Sequence, residues 1–251
     1  MVNKIVVFDF DETIGDFIQL KVFWESIKNI LNYTDDNLDI INNILNLFPN
    51  YFRPKIMNIL SYLLKVKDDG LCKYIMIYSN NPNKIWVKQI CNFINKKLKK
   101  KIFYKIICAF KSKGKIIEPS RTKNSKNVED LLQCADLPLN TQICFIDDQY
   151  YKLMDTDNVY YINIKSYKYS QNNDVLINSY YNKYSYNIGF SQNNFKKIML
   201  DIMNEFKYKF TNKDNDEQLV DIAISKKLLE YIKLYFIKIK QNKTRKIRKN
   251  N

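Results

Sequence analysis

Apolar residues fall along this chain in two alternating rhythms. Short unbroken runs at Ile5–Phe8, Tyr74–Tyr78, Ile102–Phe110, Gln142–Ile146 and Val159–Ile164 are dominated by β-branched and aromatic residues, the pattern of strands buried on both faces. Between them the apolar positions recur every three or four residues, which predicts helices. Asp16–Leu31 carries Phe17, Leu20, Phe23, Trp24, Ile27 and Ile30 on one face, and Asn37–Phe48 and Lys55–Val66 repeat the pattern. Ile85–Leu98 and Val128–Cys134 read the same way. Strands alternating with helices predict an α/β fold built on a parallel sheet.

The second half of the chain is less regular. Lys111–Lys126 reads as a polar, basic connection, and Lys165–Phe190 is rich in Tyr, Asn and Ser with weak periodicity, which predicts a long surface loop. Phe195–Phe210 and Leu219–Ile239 return to helical spacing, and a basic tail follows. The expected organisation is a core over 1–168 with a helical insert at 16–68, a Tyr/Asn-rich loop over 169–190, two helices over 191–240 packed on the core, and a tail over 241–251.

The chemistry sits where the strands stop. Asp9 and Asp11 follow the first run, Ser79 and Asn80 the second, and Asp147 and Asp148 the run from Gln142. Parallel strands deliver all their C-terminal ends to one edge, so these groups would converge where open α/β sheets bind ligands. Four carboxylates there repel one another unless a divalent cation joins them, and an all-oxygen donor set suits Mg²⁺. A carboxylate so placed can attack phosphorus, and a second two residues on can protonate the leaving group and then activate water.

Composition narrows the choices. Among 251 residues there is no histidine, which excludes Ser-His-Asp and Cys-His nucleophile systems, and four glycines are too few for a Gly-rich phosphate loop. Five scattered cysteines suggest reduced thiols inside a cell rather than a disulfide framework. No apolar run approaches the roughly 20 residues of a membrane span, and the chain enters its first strand at once, leaving no room for a signal peptide. The net charge of +15 favours an anionic partner. Seven Lys or Arg and no acid lie between Lys238 and Asn251, so the tail is a candidate for nucleic-acid binding or nuclear targeting.

FDFDET (Phe8–Thr13), YSNN (Tyr78–Asn81), a lysine ahead of a helix, and FIDD (Phe145–Asp148), in that order, resemble the four motifs of the haloacid dehalogenase (HAD) superfamily of phosphohydrolases. The DET ending and the paired aspartates resemble the RNA polymerase C-terminal-domain phosphatases and the nuclear LIM interactor-interacting factor group. FPNYFRPKI, KIIEPSRTKNSKNVEDL and ICFIDDQYYKLM look closer still to versions found in large DNA viruses and some protists. The likeness covers about residues 1–168.

The resemblance implies a Rossmann-like core with a helical cap after the first strand. It makes Asp9 the nucleophile and Asp11 the general acid/base. Thr13 orients the first loop beside the substrate, Ser79 binds phosphate with Asn80 next to it, and Asp147 is the acidic Mg²⁺ ligand with Asp148 beside it. Asp9 and the Asp11 carbonyl complete the metal's protein ligands. The motif lysine is Lys126, with Lys123 as the alternative. The expected activity is Mg²⁺-dependent hydrolysis of a phosphomonoester, carried by a protein or a small molecule, in the cytoplasm or nucleus. A nucleic-acid end phosphatase and a non-catalytic scaffold of the same fold are the rival expectations.

Overall fold

The alternation of rhythms resolves into a twisted parallel sheet with helices between its strands. A computed structural model describes residues 3–206, 210, 211, 213–237 and 245–247. In chain order it contains β1 (Lys4–Phe8), α1 (Ile18–Leu31), α2 (Leu38–Leu47), α3 (Ile56–Asp68), β2 (Tyr74–Tyr78) and α4 (Lys84–Leu98). Then come β3 (Phe103–Ile107), β4 (Lys111–Ser112), β5 (Lys115–Ile116), α5 (Val128–Ala135), β6 (Gln142–Asp147) and β7 (Val159–Ile164). The chain continues through α6 (Asn173–Tyr184), α7 (Gln192–Asn204), α8 (Asn215–Ile237) and β8 (Arg245–Ile247).

Five parallel strands run in the order β3-β2-β1-β6-β7, and the short β8 adds to β7, also in parallel. Strand β1 lies in the middle because its residues are apolar on both sides, and Ile5 through Phe8 are all fully buried. Its register fixes the site. Phe8 pairs with Ile77 of β2 and with Ile146 of β6, so Asp9, Tyr78 and Asp147 reach the C-terminal edge together. On one side of the sheet Ile5, Val7, Met76, Phe145 and Tyr161 pack with Leu131 and Leu132 of α5. Burying a side chain of that size stabilises the fold by about 1.5–3 kcal/mol.

The chain divides into two compact units. One comprises Met1–Gly15, Arg53–Tyr167 and Asn215–Asn251, and holds the sheet; the other comprises Asp16–Phe52 and Lys168–Asp214. In the second, Phe23 of α1 meets Tyr180 of α6 edge to face, and Tyr180 stacks on Phe195 of α7. The stripe of Phe17, Phe23 and Trp24 is core. Helix α3, expected inside the insert, lies in the first unit, where Ile59, Leu60 and Leu63 are buried. Of the two later helices, α7 lies in the second unit and α8 in the first, where Tyr235 donates to the carbonyls of Gln142 and Ile5.

Three sequence expectations are corrected. The predicted loop over 169–190 contains α6, capped by the Asn172 side chain accepting from Asp174 N, with Leu176, Ile177 and Tyr180 buried. The polar connection after β3 contains a hairpin, β4 against β5, turned by Lys113 and Gly114, both at positive φ as a two-residue type I′ turn requires. The helix expected to reach Phe210 ends at Asn204. Within the basic tail, Arg245–Ile247 form β8; its remaining residues lie outside those described. All five cysteines are buried and unbridged.

Candidate active site

The loop after β1 is built to present carboxylates. It closes on itself through Ile14 N to the Phe10 carbonyl (2.9 Å) and Glu12 N to the Gly15 carbonyl (2.7 Å). Glu12 adopts a left-handed conformation (φ 59°), which costs a non-glycine residue about 1–2 kcal/mol and therefore needs outside support. Arg53 supplies it. Its guanidinium is 1 % exposed and donates from Nε to the Thr13 carbonyl (2.7 Å) and from Nη2 to those of Glu12 (2.6 Å) and Lys165 (2.8 Å). Burial, against the opposing charges of Asp221 and Asp148, lowers the Arg53 pKa to about 10. Nothing in the apolar rhythm marked Arg53; only its place beside Pro54 in the family-like FRPKI stretch could have drawn attention.

Lys126 forms the centre of the site. It is 1 % exposed, and its Nζ lies 2.5 Å from Asp9 Oδ1 and 2.7 Å from Asp147 Oδ2. The rings of Tyr151, Phe145 and Tyr78 surround the ammonium at 5.3, 5.8 and 5.9 Å, so its charge is shielded from water and turned toward the two acids. Lys123, the alternative motif lysine, is exposed. Lys126 is held by the loop end and by α5, whose cap residue Asn127 accepts from Asp130 N (2.7 Å). Asp130 in turn accepts from Thr122 N and Oγ1, both at 3.0 Å. Burial raises the Asp130 pKa, but these hydrogen bonds outweigh it and hold the carboxyl below its ordinary value.

The acids are balanced differently. Burial pushes the Asp147 carboxyl up to about 8 against the pull of Lys126, with the Asp9 charge adding to the rise. Asp9 is raised too, chiefly by burial, with Lys126 opposing and Asp148 adding. Asp9, Asp147 and Asp148 each offer a carboxylate oxygen within 4.8 Å of the others. An oxygen-only, under-compensated trio of this kind, with Asp9 and Asp147 buried and Asp148 half-buried, fits a hard divalent cation such as Mg²⁺. Asp148 is oriented by Thr13 Oγ1 (3.3 Å), Ser166 Oγ (2.9 Å) and Gln149 Nε2 (2.9 Å).

The turn after β2 completes the edge. Ser79 is fully buried, and its Oγ accepts from Asn81 N (2.9 Å), which leaves its own proton to be donated elsewhere. Asn81 donates from Nδ2 to both oxygens of Asp11 (3.0 and 3.3 Å), tying the second turn to the first. The Asn80 amide accepts from Arg121 Nη2 (2.9 Å) and donates to the Tyr151 hydroxyl (3.0 Å). Thus Asp9, Asp11, Thr13, Ser79, Asn80, Lys126, Asp147 and Asp148 all gather at one sheet edge. Sequence reasoning missed Arg53, Asn81, Arg121 and Tyr151, which act on them through backbone carbonyls and side-chain amides that no local spacing reveals.

No family model matches the chain, and no curated protein matches it. Among solved structures it is similar to Fcp1, described as an essential RNA polymerase II CTD phosphatase, at 13% identity and a TM-score of 0.41, over 93% of this chain and 63% of that one. It is also similar to a variant of the fission yeast RNA polymerase II CTD phosphatase Fcp1 bound to beryllium fluoride, at 13% identity and a TM-score of 0.38, over 96% of this chain and 58% of that one. The chain spans less than two thirds of either.

Proposed function

We propose that this chain is a phosphomonoester hydrolase of the HAD type, working through an aspartyl-phosphate on Asp9. The observation that carries the reading is the buried Lys126 ammonium bridging Asp9 and Asp147, with Asp148 beside them and Asp11 one turn of loop away. An isolated acidic cluster has many explanations. One joined by a lysine in an aromatic cage, at the C-terminal edge of a parallel sheet, is suited to receiving a phosphoryl group.

In the proposed reaction an Asp9 carboxylate oxygen attacks phosphorus while the bond to the leaving oxygen breaks, and Asp11 gives that oxygen a proton. Asp11 then takes a proton from water, whose oxygen attacks the phosphorus, and inorganic phosphate leaves as the Asp9 carboxylate is regenerated. Asn81 keeps Asp11 turned toward the transfer, and the free protons of Ser79 Oγ and Lys126 Nζ are placed to meet phosphoryl oxygens. Asp9, Asp147 and Asp148 would hold Mg²⁺, which when bound offsets the charge spread over the transferred group.

The test is turnover of an aryl phosphate with Mg²⁺, extended to phosphopeptides, nucleotides, phosphosugars and oligonucleotides with 3′ or 5′ phosphates. Asp9→Asn is expected to lower turnover by about three orders of magnitude or more, the scale at which loss of a nucleophile acts. Hydrolysis that is indifferent both to Asp9→Asn and to EDTA would sink the proposal.

A further inference from the structure

We propose that Tyr151 is a phosphate-binding residue, its hydroxyl proton aimed at the substrate by a relay from Arg121 through Asn80. The relay follows from which groups can only donate. Arg121 is 2 % exposed, and a guanidinium has donors and no acceptor. Its Nη1 donates to the carbonyls of Ser79 (2.9 Å) and Cys108 (2.6 Å), and its Nη2 to the carbonyl of Asn124 (2.9 Å) and to Asn80 Oδ1 (2.9 Å). The guanidinium also stacks on Tyr78, 4.7 Å from the ring centre.

Because Arg121 can only donate, the amide of Asn80 has to turn its oxygen toward Arg121 and its NH₂ the other way. That NH₂ meets the Tyr151 hydroxyl at 3.0 Å, so the phenol oxygen accepts. The phenol's own proton must then point elsewhere, and among the described residues no acceptor receives it. Both ends of Tyr151 are fixed, since its backbone N donates to the Tyr161 hydroxyl (3.0 Å), which itself donates to the Gln149 carbonyl (2.6 Å). The Tyr151 ring centre is 5.3 Å from Lys126 Nζ, the group that holds Asp9. A donor held there, one residue from Ser79 through Asn80, suits an oxygen of a phosphate monoester or of inorganic phosphate.

On this reading Tyr151 touches the anion, while Asn80 and Arg121 are positioning residues. The inference rests on the proposed phosphatase reading only for the identity of the anion, so it is tested by binding as well as turnover. Tyr151→Phe, which keeps the ring over Lys126, is expected to weaken inorganic phosphate binding about tenfold by calorimetry and to raise KM for an aryl phosphate similarly, the effect of one lost hydrogen bond to a charged group. Asn80→Asp is the sharper probe. It keeps the shape and the partner for Arg121, but a carboxylate cannot donate, so Tyr151 must turn its proton inward.

The expected result is phosphate affinity weakened at least tenfold in Asn80→Asp with the melting temperature unchanged or higher, and a markedly smaller effect of Asn80→Asp in the Tyr151→Phe background. An equal effect in both backgrounds means simple charge repulsion and overturns the relay. Phosphate binding and KM unchanged in Tyr151→Phe overturn the assignment of the hydroxyl. Either result leaves the phosphatase reading intact if Asp9→Asn abolishes turnover, whereas full turnover by Asp9→Asn removes the phosphatase reading and leaves the binding measurement to decide Tyr151 alone.

Discussion

Lys126 lies in a run of polar and basic residues where its neighbours are solvated, and only its partners distinguish it. Two buried carboxylates at 2.5 and 2.7 Å make it structural as well as chemical. Lys126→Met leaves both acids without a counter-charge, so it is expected to lower stability by about 3–5 kcal/mol in urea unfolding and to reduce turnover by at least about a hundredfold. Lys123→Met should change neither measurement. Asp130 gives a residue-scale pH prediction of definite sign. Its folded pKa is depressed, so its stabilising effect is present above its unfolded value of about 4 and is lost as pH falls through the lower folded one. In an acid titration followed by circular dichroism, Asp130→Asn should therefore lose less stability below about pH 4 than the parent. The carboxylates and Ser79 were legible in sequence because each ends an apolar run. Arg121 and Tyr151 were not, since their roles depend on donor direction across segments up to 71 residues apart.

At the scale of elements, the five buried strands β1, β2, β3, β6 and β7 and the first five helices were legible because a core-facing helix or a buried strand writes its period into the apolar pattern, whereas the short β4, β5 and β8 carry no such run. Helix α6 did not, for a physical reason. Its sequence, NDVLINSYYNKY, mixes Asn and Ser with tyrosines and buries only Leu176, Ile177 and Tyr180, so its helicity follows from packing on its neighbours rather than from propensity. The Asn172 cap was its only local signal. The loop after β1 carries the element-scale prediction. Arg53 serves three backbone carbonyls with a rigid fork that an ammonium cannot reproduce. Arg53→Lys is expected to cost about 1–3 kcal/mol or more by leaving buried acceptors unserved, read as a lower urea midpoint together with reduced turnover.

For the whole molecule, charge and cation binding are the properties that sequence and structure describe together. The +15 net charge is distributed over a chain in which the Asp9, Asp147 and Asp148 trio has the opposite need. Burial pushes the folded Asp147 carboxyl up to about 8, above its unfolded value of about 4, so its contribution to stability is fully present at low pH and is lost as the pH rises through the folded value. A cation that binds the ionised trio offsets that loss. Mg²⁺ at a hundred times its dissociation constant is therefore expected to add about 2.7 kcal/mol, a rise of roughly 5–11 °C in melting temperature at pH 8, and the same concentration much less at pH 5. Equal rises at both pH values would argue against binding at these acids. The composition of the two units was not legible, because each is assembled from segments far apart in sequence.

The five cysteines have a consequence for how this protein can be watched. Cys72, Cys91, Cys108, Cys134 and Cys144 all belong to the unit that carries the sheet, and the other unit contains none. Burial raises each thiol, Cys72 to about 12 and Cys108 and Cys134 to about 11, so attack on an aromatic disulfide reagent must await opening of the surrounding structure. The rate at which colour appears is then a clock for the breathing of the unit that carries the sheet alone, and it runs with no ligand added.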